Sequence, residues 1–422
     1  MRGLIAWPLL WAAVASAQTD GTPDPMLARI QERVLERLAR LPDYVCVQTV
    51  ERAHRASAKE PFKPIDTLRL QVALINGKEQ YAWLDARRFD DRELRDLVGR
   101  GAVGTGIFAL HTRHVFQPKI AEFKARGEET REGRRVLRYD YEVPWENSAY
   151  RVRNPPHEEV VAFRGSALID AETLDLLQLV VSSDEIPQEI GMDRISTTLE
   201  YGRSMIGAQE CVLPTASEMT IAGLDGTESR NRTKLGECRQ YTTESKLTFE
   251  EPASEAAAPS EKEEESEAAQ RLTMELALES DIALETAVVG DPVRAVLSRP
   301  LKDGDKVWAP AGSVALGNIV RLEKQGQPFD HYEIAMEFHS IESAAGRLEY
   351  SATMTQAGPA PGLIRQAKKL NPTFTRQRRA RMEILVREVP KGQGVLHWEA
   401  KHARIRKAFR MRWLVHEIRP AR

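Results

Sequence analysis

Cysteine, aromatic side chains and long apolar runs are all scarce in this 422-residue chain. Past residue 15 no stretch approaches the roughly 20 apolar residues that span a bilayer, which excludes a membrane-spanning helix from the mature product and predicts a soluble or peripheral protein. There is no G-x-S-x-G elbow and no protease signature around any cysteine, so the common serine and cysteine hydrolase readings have no motif to rest on. Gly99, Gly101, Gly104 and Gly106 follow a helical rather than a strand pattern and no P-loop lysine comes after them, which removes a phosphate loop and leaves a backbone-packed connection. Net charge is nearly absent as well, at −2. That balance conceals a strong asymmetry along the chain.

What is present begins at the first residue. Met1 and Arg2 precede an apolar run from Leu4 to Ala15, and Ala15-Ser16-Ala17 supplies an A-x-A cleavage site before Gln18, so residues 1–17 read as a signal peptide. The expected location is outside the cytoplasm, periplasmic or extracellular, which argues against ATP-driven, nicotinamide-linked and intracellular signalling roles. No cysteine follows the apolar run, which argues against lipoprotein anchoring. In an oxidising compartment Cys46, Cys211 and Cys238 are expected to form one disulfide and leave one thiol, the alternative being three reduced, buried thiols, and all three pairings are open at this point.

Roughly 400 residues remain, enough for two domains. Asp24-Pro25 reads as an N-cap with proline at the first helical position, and Leu27, Ile30, Val34, Leu38 and Leu41 recur at helical spacing, predicting an amphipathic helix that ends before Pro42. Leu68, Leu70, Val72 and Leu74 alternate with polar residues, and Asn76-Gly77 predicts a tight turn into a second strand at Gln80–Leu84. Asp90-x-x-Glu93 with Gly99 predicts a short helix over Asp91–Val98, followed by another from Gly101 to Phe116. A long β series then runs from Arg134 to Phe249, giving an α+β domain over 24–249. Residues 250–271 hold eight glutamates against one lysine up to Gln270, with Ala, Pro and Ser between them, and read as an acidic disordered linker. Residues 272–422 return to β patterning, expected as a barrel or sandwich.

The last part is basic. From Leu363 to Arg422 there are 17 Lys or Arg against 4 Glu. Phe409, Met411, Trp413 and Val415 alternate with arginines, so Arg404, Arg406, Arg410 and Arg412 are expected on one strand face as an anion-binding surface. Outside the cell such a face suits anionic envelope components, and nucleic acid is not the expected partner.

The remaining chemistry is sparse. His111 and His114 stand one helical turn apart near Glu122, but Arg113 opposes a cation; His397 and His402 have no better spacing, and no metal or other cofactor is expected. Asp303-Gly304-Asp305 reads as an ordinary hairpin turn rather than a calcium loop. Asp170, Glu172, Asp175, Asp184 and Glu185 are candidates for a glycosidase pair, although their spacing is that of turns flanking strands. Asn231-Arg232-Thr233 matches a glycosylation acceptor, a motif short enough to recur by chance.

The leading helix, Tyr44-Val45-Cys46, the glycine-rich Gly101–Phe108 and the stretch from Gly165 through Ile169-Asp170-Ala171-Glu172-Thr173 to Leu177 together resemble exported bacterial proteins. The last stretch is similar to the strand and turn of periplasmic lipoprotein-carrier folds, the LolA-like half-barrels. Over Pro25–Phe249 the resemblance implies a curved antiparallel sheet wrapped around helices, a concave apolar surface for acyl chains, and a Cys46–Cys238 disulfide. Separately, Gly290-Asp291-x-Val293-x-Ala295-x-Leu297 and Val307-x-Ala309-Pro310-Ala311-Gly312-Ser313-x-x-x-Gly317 resemble the β-barrel module of conjugation and type IV secretion outer-membrane channels, over Thr273 to about Met354. No pore-forming helix pair accompanies that module. The expected function is therefore non-enzymatic: an exported envelope protein binding a lipid or acyl chain, with a basic face toward anionic envelope components. The alternatives are an exported hydrolase of envelope polymers and a protein-interaction scaffold.

Overall fold

The computed structural model describes residues 24–241 and 272–420, apart from 85, 87–88, 90–93, 99–101, 105–109, 327–328, 345, 365, 368–383 and 386–389. The expected signal peptide at 1–17, the acidic linker at 250–271 and the strand expected beyond Tyr241 lie outside the described residues.

Helix α1 (Pro25–Ala39) starts as its sequence demands. The Asp24 carboxylate accepts the Met26 amide at 2.9 Å, and its other oxygen accepts the Tyr139 hydroxyl at 2.8 Å, so the N-cap also ties the helix to the sheet beneath. Ile30 and Val34 are buried along one stripe, worth roughly 1.5–3 kcal/mol each. Two short helices follow, α2 (Leu94–Val98) and α3 (Leu110–Phe116). The helix expected from Gly101 does not begin there. Ala102–Gly104 are non-helical because the Ala102 carbonyl is taken by the Asn231 side chain at 2.8 Å and Gly104 packs against Met219 Sδ.

The strands before residue 242 are β1 (Tyr44–Arg55), β2 (Lys63–Ile75), β3 (Lys78–Ala82), β4 (Glu122–Arg131), β5 (Arg134–Val143), β6 (Arg151–Asn154), β7 (His157–Val160), β8 (Phe163–Asp170), β9 (Leu176–Ser183), β10 (Met192–Ile206), β11 (Gln209–Gly223) and β12 (Glu228–Gln240). Ten of them form one antiparallel sheet in the order β3-β2-β1-β12-β11-β10-β9-β8-β5-β4, while β6 and β7 make a separate hairpin. The β2–β3 hairpin turns at Asn76 and Gly77 with φ of 52° and 73°, the left-handed pair that a two-residue turn requires. Pro214 is tolerated inside β11 because it sits at a register shift opposite Tyr201.

The second half contains β13 (Thr273–Leu278), β14 (Ile282–Ala283), β15 (Pro292–Leu297), β16 (Leu301–Asp303), β17 (Lys306–Ala309), β18 (Val314–Gln325), β19 (His331–Ser343), β20 (Gly346–Ala357), β21 (Gln366–Ala367), β22 (Ile384–Leu385), β23 (Gly394–Glu399), β24 (Arg404–Ile405) and β25 (Arg410–Pro420). Six of these close into a barrel, β18-β15-β13-β25-β20-β19, through the β18–β19 pairing; β23 adds to β19 where β20 diverges. Phe338 meets Trp413 edge-on at 5.2 Å in its core. The expected barrel or sandwich is therefore a closed barrel, and Asp303-Gly304-Asp305 is the turn of the β16–β17 hairpin. With 61% of the described residues in strands, the described part is mostly β, and α+β describes it only loosely.

The halves touch directly. Val289 pairs with β2, its carbonyl accepting the Arg69 amide at 2.7 Å and its amide donating to Thr67 O at 2.9 Å. Gly290 must be glycine there: φ is 100°, and a Cβ would lie 2.0 Å from Arg69 O.

Candidate functional site: the concave face of the ten-stranded sheet

Strand register assembles the covered face of the sheet into transverse rows. One row runs Leu68–Val50–Thr233–Ser217–Leu199–Leu179–Ala167–Tyr139 across eight strands from β2 to β5. It is apolar apart from the two central hydroxyls. The next row begins Asp66–Arg52–Asn231–Met219–Thr197 and continues through Val181 and Gly165 to Tyr141. Residues 102–104 and α3 lie over these rows. Asn231 bonds the Ala102 carbonyl, and Thr112 of α3 shares a short hydrogen bond with the Tyr201 hydroxyl at 2.5 Å. Burial pushes the Tyr201 pKa well above its ordinary value, so the hydroxyl keeps its proton.

The polar end of the second row is fully enclosed. Arg52 and Asp66, 4% and 5% exposed, make a bidentate pair at 2.7 and 2.6 Å. Fork geometry of this kind suits guanidinium and carboxylate, and desolvation strengthens the attraction while making the loss of either partner costly. These residues carry no motif in the sequence. The available signal was Asp66 standing at the apolar parity of Leu68, Leu70 and Val72. Asn231, noted as a glycosylation acceptor, is 5% exposed with its amide committed to Ala102, and no glycan fits there.

Cys46 and Cys238 form a disulfide across β1 and β12, next to the register shift between Val45 and Val47. Cys211 is the buried free thiol, and burial pushes its pKa up, which disfavours the reactive thiolate. It lines a pocket of about 310 Å³ with Arg37, Arg40, Gln209, Glu210 and Val212. Charged groups rim that pocket, so it is not the apolar cavity expected of an acyl carrier.

Three of the five carboxylates weighed for glycoside hydrolysis are tied to structure. Asp175 is 4% exposed and held by Arg37 at 3.0 Å, Arg203 at 2.8 Å and Arg33 at 3.9 Å. Asp170 accepts the Glu172 and Thr173 amides at 2.9 Å each; slight burial opposes ionisation, yet these hydrogen bonds hold its carboxyl below the usual carboxylate range. Asp184 pairs with Arg164. The histidines do not converge either. His114 bonds Asn147 O at 2.8 Å, His111 lies edge-on to Tyr150, and His397 is buried beside His331 with ring centroids 5.7 Å apart.

The four C-terminal arginines do not share one strand face. Arg410 and Arg412 are exposed on β25, whereas Arg404 lies on β24 and Arg406 in the turn between, where Ala408 reverses the chain with φ of 64°. Arg412 pairs with Glu275 at 2.7 Å and Arg404 with Asp281 at 3.5 Å. The continuous alternation read from the sequence is broken by that turn, and two of its four cations already have carboxylate partners.

No family model and no curated protein matches the chain. Solved structures similar to about half of it include a putative outer membrane lipoprotein-sorting protein domain from Vibrio parahaemolyticus, at 13% identity and a TM-score of 0.27 over 51% of this chain and 94% of that one. A LolA superfamily protein from Nitrosomonas europaea gives 8% and 0.25 over 51% and 94%. The Mycobacterium tuberculosis lipoprotein LppX gives 11% and 0.20 over 52% and 98%. None of these three is a secretion-channel component, so the channel-module resemblance of Thr273–Met354 gains nothing from them.

Proposed function

We propose that this chain is an exported, non-enzymatic envelope protein that holds a lipid or acyl chain on the concave face of its ten-stranded sheet. The observation that carries the reading is the largely apolar row from Leu68 to Tyr139, covered by helices and by residues 102–104 rather than by a second sheet. A helical cover makes no ladder hydrogen bonds to the strands beneath it, so displacing it breaks side-chain packing rather than a backbone ladder, and the displaced apolar area is what an acyl chain would fill. Export rests on the leader at 1–17, and the Cys46–Cys238 disulfide suits an oxidising compartment. In this reading the two halves divide at the acidic segment. The barrel meets anionic envelope components through Arg406 and Arg410, assisted by Arg404 and Arg412 where their carboxylate partners yield. The test is native mass spectrometry of the full chain purified without detergent, with extraction of bound lipid, alongside flotation with liposomes containing phosphatidylglycerol. Bound lipid or acyl species support the reading. Absence of both bound lipid and liposome association overturns it.

A further inference from the structure

Strand β4 is the last strand of the ten-stranded sheet, and among the described residues no strand pairs with its outer edge. Glu122 and every residue from Lys124 to Arg131 are exposed; Phe123 alone is half-buried, packed near Phe116, Tyr139 and Tyr141. Its outward amides and carbonyls therefore stand at an open edge. The charges of the strand fall into two groups. Arg126 donates to Asp140 at 2.6 Å and Glu128 accepts from Arg135 at 3.1 Å, both on β5. Glu122, Lys124, Glu129 and Arg131 have no side-chain partner among the described residues. Glu122 instead stands level with Glu142, and Arg131 with Arg134, like charges directly opposite each other. The β-bulge between Ala125 and Gly127 decides where these four charges point, because one extra residue flips the side-chain parity. Glu122 and Lys124 before it are level with Glu142 and Asp140, and Glu129 and Arg131 after it with Val136 and Arg134, all on the face of β5 away from Tyr139 and Tyr141. The four unpartnered charges thus share the convex face, in the order negative, positive, negative, positive.

That order is complementary to itself when reversed. We propose that β4 pairs with β4 of a second copy of this chain, antiparallel about a two-fold axis normal to the sheet, with Glu122 opposite the partner's Arg131 and Lys124 opposite the partner's Glu129. In this register Phe123 meets Thr130 and Ala125 meets Glu128 on the concave side, while Arg126 and Gly127 fall at the axis, so the regular segments on either side of the bulge pair. In a strand without the bulge, these opposed residues would lie on different faces and the register could not form. Each like-charge pair then has a group of opposite sign beside it. Charges and bulges on an edge ordinarily keep strands apart; a pattern complementary to itself in one register instead admits one partner. Both concave faces open to the same side of the joined sheet.

Sedimentation of the full chain over about 1–200 µM, at about 0.05 M and about 0.5 M NaCl, measures the association. The unaltered chain should dimerise at low salt, and its dissociation constant should rise by about tenfold at high salt, where exposed ion pairs are screened. Lys124→Glu and Glu129→Lys each set like charges opposite one another at two symmetry-related contacts, and each should weaken the dimer by at least about tenfold. An equimolar mixture of the two variant chains restores opposite charges at both contacts, and should return the dissociation constant to within about threefold of that of the unaltered protein. Both positions are exposed, so neither substitution should move the melting temperature. An unaltered chain that stays monomeric at low salt, single variants that dimerise as well as it does, or a mixture that remains monomeric overturns the proposal.

Discussion

Removing the Cys46–Cys238 bridge should weaken the N-terminal sheet by several kcal/mol. The two cysteines are 192 residues apart in sequence, so the bridge closes almost the whole sheet into one loop in the unfolded chain. Chain-entropy arithmetic for a loop of that size gives about 5 kcal/mol at 25 °C, and losses of about 2–5 kcal/mol are usual when native disulfides are removed. The bridge also lies where the β1–β12 ladder shifts register, so fewer backbone hydrogen bonds compensate there. Urea unfolding of the C46S/C238S protein should show a lower midpoint and a loss of at least 2 kcal/mol, with a steeper denaturant dependence as the unfolded chain expands. Thiol titration in denaturant should find one free thiol before reduction, that of Cys211, and three after it. Three free thiols in protein recovered from an oxidising compartment, or a stability loss below about 1 kcal/mol, would refute the reasoning.

Three further outcomes follow from the geometry. Asp66→Ala removes the bidentate carboxylate partner of the buried Arg52 guanidinium and should cost about 3–5 kcal/mol, read by thermal or urea unfolding; a loss under 1 kcal/mol would mean that water reaches the pair. Burial holds the His397 pKa below its ordinary 6.5, with Glu333 opposing and with His331 and Arg321 adding to the effect. Below pH about 6.5 the unfolded chain therefore binds a proton that the folded chain does not, so stability falls with falling pH; His397→Leu should flatten the melting temperature between pH 7 and 5. Gly290→Val places a side chain against Arg69 O and in a left-handed conformation, and should expose the Val288–Asp291 connection to limited proteolysis while the barrel stays folded. An unchanged digestion pattern would show that the two halves do not depend on this contact.

Elements with one apolar face and a local stop signal were legible in the sequence. Helix α1 runs from its Asp24 cap to just before Pro42, and the hairpin turns at Asn76-Gly77, because caps and turns are decided by neighbouring residues. Strand β1 was the largest miss. Its covered positions are Tyr44, Cys46, Gln48, Val50 and Arg52, and two polar residues among five erase the alternation that marks a half-buried strand. The candidate site lies partly on that strand, so the concave face was expected only through a family resemblance, and of its polar residues only Asn231 and Thr233 were named, as a glycosylation motif. The basic face erred in the opposite direction. Its alternation from Arg404 to Val415 continues through a turn at Ala408 that a period-two count does not register.

Local patterning along the chain sufficed for the ingredients: an apolar stripe for α1, a succession of strands in two groups, three cysteines of which one stays unpaired when a bridge forms, and an uneven charge along the chain. That Cys46 meets Cys238, that β18 closes onto β19, and that Asp66, Arg52 and Asn231 fall into one row emerged with the three-dimensional pairing. Period-two patterning tells which residues of one strand share a face, whereas the strand that lies beside it, and in what register, is set by pairing across up to about two hundred residues and by the best packing of the whole sheet.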